Sequence, residues 1–169
     1  MRYVVVDPSG SFNEGKGHTG IAVMHDENWK DVGVKEFKAS DYKTRYEYWK
    51  AVIDYITAGK TVLGYETKVI IESFTIRANG FLIGKMPETL LLIGAICYEL
   101  DKWKIPYTFQ APSSAKTRFK DELLEKYIPE LERRANGRYY LHDKQINDHM
   151  RDALKHLLFY KKYKEKDNG

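Results

Sequence analysis

The sequence predicts an α/β fold in which a mixed five-stranded sheet is flanked by helices. Short β-branched or apolar runs mark the strands, and they lie at residues 2–7, 19–25, 31–37, 68–74 and 105–112. The first three runs follow one another as in hairpins, whereas the last two alternate with segments of helical period. Three strands followed by alternating helices and strands are typical of an α/β domain built around a mixed sheet.

The first predicted helix extends from a cap at Ser40 or Asp41 to Gly59. One face of it carries a regular stripe of large side chains. The stripe predicts core packing, with base stacking by its aromatic rings as the alternative. It consists of Tyr42, Tyr46, Trp49, Ile53 and Ile56.

Three further helices are predicted. Residues 87–103 have a Pro in the first turn, a short helix is capped by Ser113 or Ser114, and residues 147–164 close the chain. Residues 128–146 have no regular period and are expected to be irregular.

Length and composition predict one domain, residues 1–169, with a frayed charged tail at 165–169. The net charge of +4 permits a nucleic acid as partner without demanding one. The single cysteine, Cys97, excludes an internal disulfide framework and fits a reducing compartment. We expect no signal peptide before the first strand, and no apolar run reaches the ~20 residues of a membrane helix. We therefore expect a cytoplasmic protein without a membrane partner.

The glycine-rich loop after the first strand resembles a nucleotide-binding loop, because residues 10–16 read G-x-x-x-x-G-K. Such a loop requires Ser or Thr after the Lys, but Gly17 follows Lys16. It must also open a helix whose N-terminus binds phosphate, and a strand pattern follows instead. Both requirements fail, so we interpret the segment as a turn between two strands.

Acidic residues interrupt two apolar strands and recur on the last helix. Asp7 ends the first strand and Glu72 lies in KVIIESF, while the helix carries Asp148, His149 and Asp152. A buried carboxylate is costly unless it is paired or binds a metal. Hard oxygen ligands of this kind suit Mg²⁺. Two such ions, roughly 4 Å apart, could activate a water and stabilise the leaving oxygen in phosphodiester hydrolysis.

The helix offers alternatives for this site. At about 100° per residue, Asp152 and His149 lie nearer the apolar arc, and Asp148 borders an arc that is expected to face solvent. His156 falls on the same side of the helix as His149, and the sequence leaves open whether its side chain lies beside the site or at the surface. The arc of the helix that is expected to face solvent consists of Arg151, Lys155 and Lys162. Two histidines in predicted loops, His18 and His142, are also expected to be exposed.

Four motifs resemble, in order and spacing, those of the RuvC family of Holliday-junction resolvases, most of all the compact versions carried by bacteriophages. They are VVVDPSGS…TGIAV, VIIESF, YTFQAPSSAK and HMRDALKH, spread over residues 3–158. The chain departs from the family at Ser9-Gly10, where the family has Gly-Ser, and its loop 8–18 is longer. The resemblance implies a ribonuclease-H-like fold.

The resemblance also implies functional residues. Asp7, Glu72, His149 and Asp152 match the catalytic metal ligands of the family, with Mg²⁺ as the cofactor and Mn²⁺ able to substitute. Lys116 matches the family's Lys that meets DNA phosphate. Phe74 and Asn79 match the family loosely, and Arg118, Arg133 and Arg134 lie in basic stretches. Together with Lys116, these residues are the expected nucleic-acid contacts.

The implied function is a metal-dependent endonuclease that cleaves Holliday junctions and related branched DNA by two-metal-ion hydrolysis. It would act as a homodimer, because two cuts in opposed strands need two active sites. Its setting would be the cytoplasm of a bacterium, including one infected by a phage. Three alternatives remain open: a nuclease of the same fold acting on other structured DNA or RNA–DNA hybrids, a nucleotide-handling phosphotransferase, and a non-catalytic DNA-binding module.

Overall fold

A five-stranded mixed sheet forms the centre of the protein, whose computed structural model describes residues 1–13, 15–26, 28–74 and 88–164. The spatial order of the strands is β3-β2-β1-β4-β5. β1 pairs antiparallel with β2 and parallel with β4, which confirms the predicted mixed sheet. The strands are β1 Arg2–Asp7, β2 His18–His25, β3 Gly33–Lys38, β4 Thr67–Glu72 and β5 Tyr107–Gln110.

Helices cover both faces of this sheet. The first face carries α1 (Arg45–Thr61) and α2 (Glu88–Lys102). The second face carries α3, α4 and α5. Their bounds are Pro112–Lys116, Asp121–Tyr127 and Asp148–Phe159, and a π-helical segment, Tyr160–Lys164, continues α5. Within the described ranges, no helix is long and apolar enough to cross a membrane.

The side chains of the central strands alternate between these two layers. Val4 and Val6 of β1 pack with α1 and α2, whereas Tyr3 and Val5 pack with α5. Because successive residues of a strand point to opposite faces, Asp7 belongs to the α5 side. The apolar run at 2–7 is therefore a strand buried on both faces, as expected, whereas the run predicted at 68–74 forms the shorter strand β4, which ends at Glu72.

The start of α1 differs from the prediction. Thr44, and neither Ser40 nor Asp41, caps the helix, because its hydroxyl accepts from the amide of Glu47 in a capping box. The helix passes through Gly59 to Thr61. The predicted stripe is rotated as well: the buried residues are Tyr48, Val52, Ile56, Thr57 and Gly59, and Tyr46 is exposed.

A second, three-stranded sheet lies where irregular structure was predicted, so that prediction was wrong. Its strands are antiparallel in the order β6-β7-β8. The strands are β6 Leu131–Arg133, β7 Tyr139–Leu141 and β8 Lys144–Ile146. Strands of three residues are too short to display a period of two. His142 and Asp143, both at positive φ, form the turn between the last two strands.

Other predicted boundaries also shift. α3 begins with Pro112 after Ala111, without a side-chain cap, so neither Ser113 nor Ser114 caps it. Proline suits the first helical position because that amide has no partner in the helix. Three predicted features, Asn79, Pro87 and the tail 165–169, lie outside the described residues.

Candidate active site

Two acidic residues end neighbouring central strands at the same edge of the sheet. β1 and β4 are parallel, and Val6 pairs with Ile71, so that Asp7 and Glu72 are the next residues in register. Both carboxylates lie on the α5 side, by the same alternation that places Val5 and Ile70 there. Their side chains are largely buried, with 12% and 10% of the surface exposed.

Gly20 allows α5 to approach these carboxylates. It pairs with Asp7 across the β1–β2 ladder. A Cβ at Gly20 would lie 2.3 Å from the carbonyl oxygen of His149, in the first turn of α5. The missing side chain therefore lets the helix start directly over the end of β1.

The first turn of α5 brings a histidine to Asp7. His149 Nδ1 lies 3.2 Å from Asp7 Oδ2. Its ring stacks on that of His18, with centroids 5.6 Å apart, and His18 Nδ1 lies 2.7 Å from Glu36 Oε1. Asn147, which caps α5, also donates to Glu36. The expectation that His18 is merely exposed was wrong, because this ring supports His149.

Lys116 links the other two predicted acidic residues. Its ammonium lies 3.0 Å from Glu72 Oε1 and 3.0 Å from Asp152 Oδ2. Lys116 is the last residue of α3, so its side chain reaches the sheet edge from the helix that follows β5. Asp7, Glu72, His149 and Asp152, together with Lys116, thus form one site.

The electrostatics of the site separate the two strand carboxylates. Burial raises the pKa of Asp7, and the negative charge of Glu72 adds to this, while the bond with His149 opposes it. Burial would also raise the pKa of Glu72, but His156 and Lys116 outweigh it and the pKa is lowered. Neighbouring carboxylates whose pKa values shift in opposite directions are typical of catalytic sites.

The two basic side chains of the site both have raised pKa values. The hydrogen bond with Asp7 raises the pKa of His149, against a smaller opposing effect of burial. Burial would lower the pKa of Lys116, but Asp7, Glu72 and Asp152 raise it well above its ordinary value. At neutral pH the Lys116 ammonium therefore stands as a positive charge among carboxylates.

His156 and Gln110 support Glu72; the sequence left His156 open between the site and the surface and did not indicate Gln110. His156 is fully buried, with Nε2 3.0 Å from Glu72 Oε2 and Nδ1 2.6 Å from Gln110 Oε1. Gln110 is the register partner of Glu72 on β5. A polar residue at the end of the neighbouring strand was the available signal for Gln110.

The arc of α5 that was predicted to face solvent is largely covered, so that prediction was wrong for Arg151 and Lys155. Lys155 Nζ contacts Asp152 Oδ1 at 3.0 Å and Asp121 Oδ1 at 2.7 Å. Arg151 Nε donates to Asp121 Oδ2 at 3.0 Å. Asp121 is the first residue of α4. A helical wheel of α5 contains only the residues of α5, so it could not predict these contacts.

Four other predicted nucleic-acid contacts lie in the described residues, and none of them forms an ion pair or a hydrogen bond with this cluster. Phe74 is exposed just after β4. Arg118 is exposed and stacks over Phe159 and Tyr163. Arg133 ends β6 and lies over the ring of Tyr139. Arg134 follows it, lies over the ring of Tyr140 and forms ion pairs with Glu132 and Asp143.

The donor set of the site suits a cation. In the part of the chain that the structure describes, no group of three His, Cys, Asp or Glu side chains is arranged to hold a metal ion as it stands. However, Asp152 and Glu72 both contact one positive charge, the Lys116 ammonium, and Asp7 also acts on it electrostatically. Carboxylate oxygens beside an imidazole are chemically suited to Mg²⁺ or Mn²⁺.

The architecture is that of a ribonuclease-H-like α/β protein, and comparison with solved structures identifies the fold as that of RuvC. RuvC from Thermus thermophilus in complex with a Holliday-junction substrate aligns with a TM-score of 0.65 and 16% identity, over 100% of this chain and 98% of that one. A structure of Thermus thermophilus RuvC gives a TM-score of 0.63 and 16% identity, over 99% and 97%. No family model and no curated protein sequence matches the chain.

Proposed function

We propose that this protein is a metal-dependent endonuclease that cleaves branched DNA, with the Holliday junction as its principal substrate. One observation carries the proposal: the carboxylates of Asp7, Glu72 and Asp152 gather around a single cationic position at the edge of the central sheet. The shared fold with a RuvC solved on a Holliday-junction substrate supports the choice of DNA structure.

Asp7, Glu72, Asp152 and His149 would hold the metal, with Mg²⁺ as the cofactor and Mn²⁺ as a substitute. When bound, divalent ions stabilise developing negative charge and lower the pKa of an attacking water. The protein fixes these side chains from rigid elements: two strand ends, the start of α5 and the second turn of that helix. His149 contacts Asp7 through Nδ1, and His156 together with Gln110 fixes the orientation of Glu72.

The DNA would lie over this edge of the sheet. Lys116 would contact a phosphate next to the scissile bond, and the exposed side chains of Arg118, Arg133 and Phe74 would contact other parts of the DNA. Arg134 is a weaker candidate because Glu132 and Asp143 already neutralise it. Asn79 remains part of the proposal through the sequence alone. We further propose a homodimer in the bacterial or phage-infected cytoplasm.

The test is cleavage by purified Asp7→Asn and Glu72→Gln proteins. Each change keeps the size of the side chain but removes a metal-binding charge, so we expect intact folding and DNA binding with cleavage reduced by several orders of magnitude. The measurement is single-turnover cleavage of a four-way junction in Mg²⁺, with circular dichroism and gel-shift binding as controls for folding.

The substrate is tested with a panel of junctions, flaps, duplexes and RNA–DNA hybrids. Preferential cleavage of the junction in Mg²⁺ or Mn²⁺, and binding without efficient turnover in Ca²⁺, would support the proposal. Preference for a flap or a hybrid would favour another nuclease of this fold. Full activity in a chelator, or near wild-type turnover by either variant, would contradict the metal site.

A further inference from the structure

The Lys116 ammonium lies between two carboxylates of the candidate site. It forms two ion pairs of 3.0 Å, one with Glu72 and one with Asp152. The carboxylates are 10% and 21% exposed and the lysine side chain is 32% exposed, so water screens these pairs only in part. A divalent ion bound by the same oxygens would meet a like charge at close range.

The position of Lys116 in the chain also lets its side chain move. It is the last residue of the five-residue helix α3, and exposed Thr117 and Arg118 follow it. The flexible lysine stem can carry the ammonium from the carboxylates to an adjacent phosphate without moving the backbone. Asp152 keeps a second contact when Lys116 leaves, because Lys155 binds its other oxygen at 3.0 Å.

We propose that Lys116 is an exchangeable counter-cation: without DNA it blocks the metal position between Glu72 and Asp152, and a DNA phosphate draws it away and opens that position. The inference rests on the proposed function for the identity of the site, but concerns the order in which metal and DNA bind. It gives Lys116 a role in metal binding besides contact with DNA.

The exchange has a thermodynamic consequence. If DNA removes a competitor of the metal, the two ligands bind with positive coupling, and metal must strengthen DNA binding by the same factor. We expect this factor to lie between about 5- and 150-fold, the usual range for coupled sites. Loss of the Lys116 charge should give a comparable gain in metal affinity without DNA.

The experiment measures Mn²⁺ binding to the protein alone, from the electron paramagnetic resonance signal of the free ion. Lys116→Met should bind Mn²⁺ about 5- to 150-fold more tightly than the wild type, whereas Lys116→Arg keeps the cation and should bind weakly. Lys155→Met is the matched control, since it removes an equal charge from Asp152 but leaves the Lys116–Glu72 contact. Equal affinity of Lys116→Met and wild type, or an equal gain in Lys155→Met, would overturn the proposal.

A second measurement uses the wild-type protein and remains decisive if Lys116→Met does not fold. Ca²⁺ affinity is determined by calorimetry with and without an immobile four-way junction, and titration of Glu72→Gln on the same DNA corrects for ions bound to the DNA. Tighter Ca²⁺ binding in the presence of the junction supports the exchange, and unchanged affinity contradicts it. Neither measurement requires cleavage, so a failure of the nuclease assignment would be seen separately.

Discussion

At the scale of single residues, Asp148 and Asp152 lie one turn apart on α5 in different surroundings. Asp152 is 21% exposed and contacts Lys116 and Lys155, whereas Asp148 is 85% exposed and pairs with Arg151. We expect Asp152→Asn to abolish cleavage and Asp148→Asn to cost much less. His149→Ala should cost at least about a hundredfold, the usual scale for a positioned acid–base group. Single-turnover cleavage in Mg²⁺ measures all three.

Asp148→Asn serves as the matched control, because it makes the same chemical change on the same helix. Its carboxylate has a structural explanation in the first turn, where a negative charge meets the helix dipole favourably. An inactive Asp148→Asn beside an active Asp152→Asn would move the proposed site one turn towards the start of the helix.

The sequence revealed the site residues that break a pattern and concealed those that depend on packing. Asp7 and Glu72 were visible because each interrupts an apolar strand. The contact of His156 with Glu72 requires the sheet register and the rotation of α5 together. Lys155 was misplaced for the same reason, because a helical wheel contains no information about α4.

At the scale of elements, Gly20 controls how closely α5 packs on the sheet. A methyl group there would lie 2.3 Å from the His149 carbonyl oxygen and 3.0 Å from its Cβ. Gly20→Ala should therefore displace the first turn of α5, lower the free energy of unfolding by about 1–3 kcal/mol, as overpacking usually does, and reduce cleavage through His149. Urea unfolding and single-turnover kinetics measure the two effects.

Gly33→Ala is the control for this prediction. Gly33 lies on the neighbouring strand β3, and a Cβ there has no atom within 4 Å in the described structure. Its cleavage rate should remain close to that of the wild type. Equal losses in the two variants would show that the close approach at Gly20 is not the cause.

The contact between α4 and α5 predicts a pH dependence. Burial opposes ionisation of Asp121, but Lys155 and Arg151 outweigh it and lower its pKa. Asp121→Asn should cost roughly 1–3 kcal/mol of stability at neutral pH, as for hydrogen bonds to charged groups. Because the pKa of Asp121 is lowered in the folded protein, its ionised carboxylate stabilises the fold fully above the ordinary aspartate pKa of about 3.9. This contribution is lost as the pH falls through the pKa that Asp121 has in the folded protein.

Urea unfolding of wild type and Asp121→Asn, at neutral pH and well below the ordinary aspartate pKa, checks this sign. The difference between the two proteins should shrink in acid. Asp143→Asn is the control, because its partner Arg134 and its own carboxylate are exposed and such surface pairs contribute little. A difference that persists in acid would contradict the role of the Asp121 charge.

At the scale of the whole molecule, motif order identified the fold although sequence identity to the structural neighbours is only 16%. Strands buried on both faces and amphipathic helices leave signals in a single sequence, which is why the five-stranded sheet was predictable. The sheet β6-β7-β8 was not, because its strands have three residues each and depend on α4 and α5 for burial. The predicted extent of a single domain remains a prediction.

Two copies of the chain should act together on one junction. Each chain carries one cluster around Asp7 and Glu72 in its described residues, whereas resolution of a four-way junction requires cuts in two strands. A homodimer would supply both cuts by two-fold symmetry. Wild type mixed and re-equilibrated with excess Asp7→Asn protein should therefore form mixed dimers that cut one strand, so that nicked junctions accumulate in Mg²⁺. Separate labels on the strands measure nicked and resolved products. If the variant merely dilutes the rate, without nicked intermediates, the active unit is not a dimer of this chain.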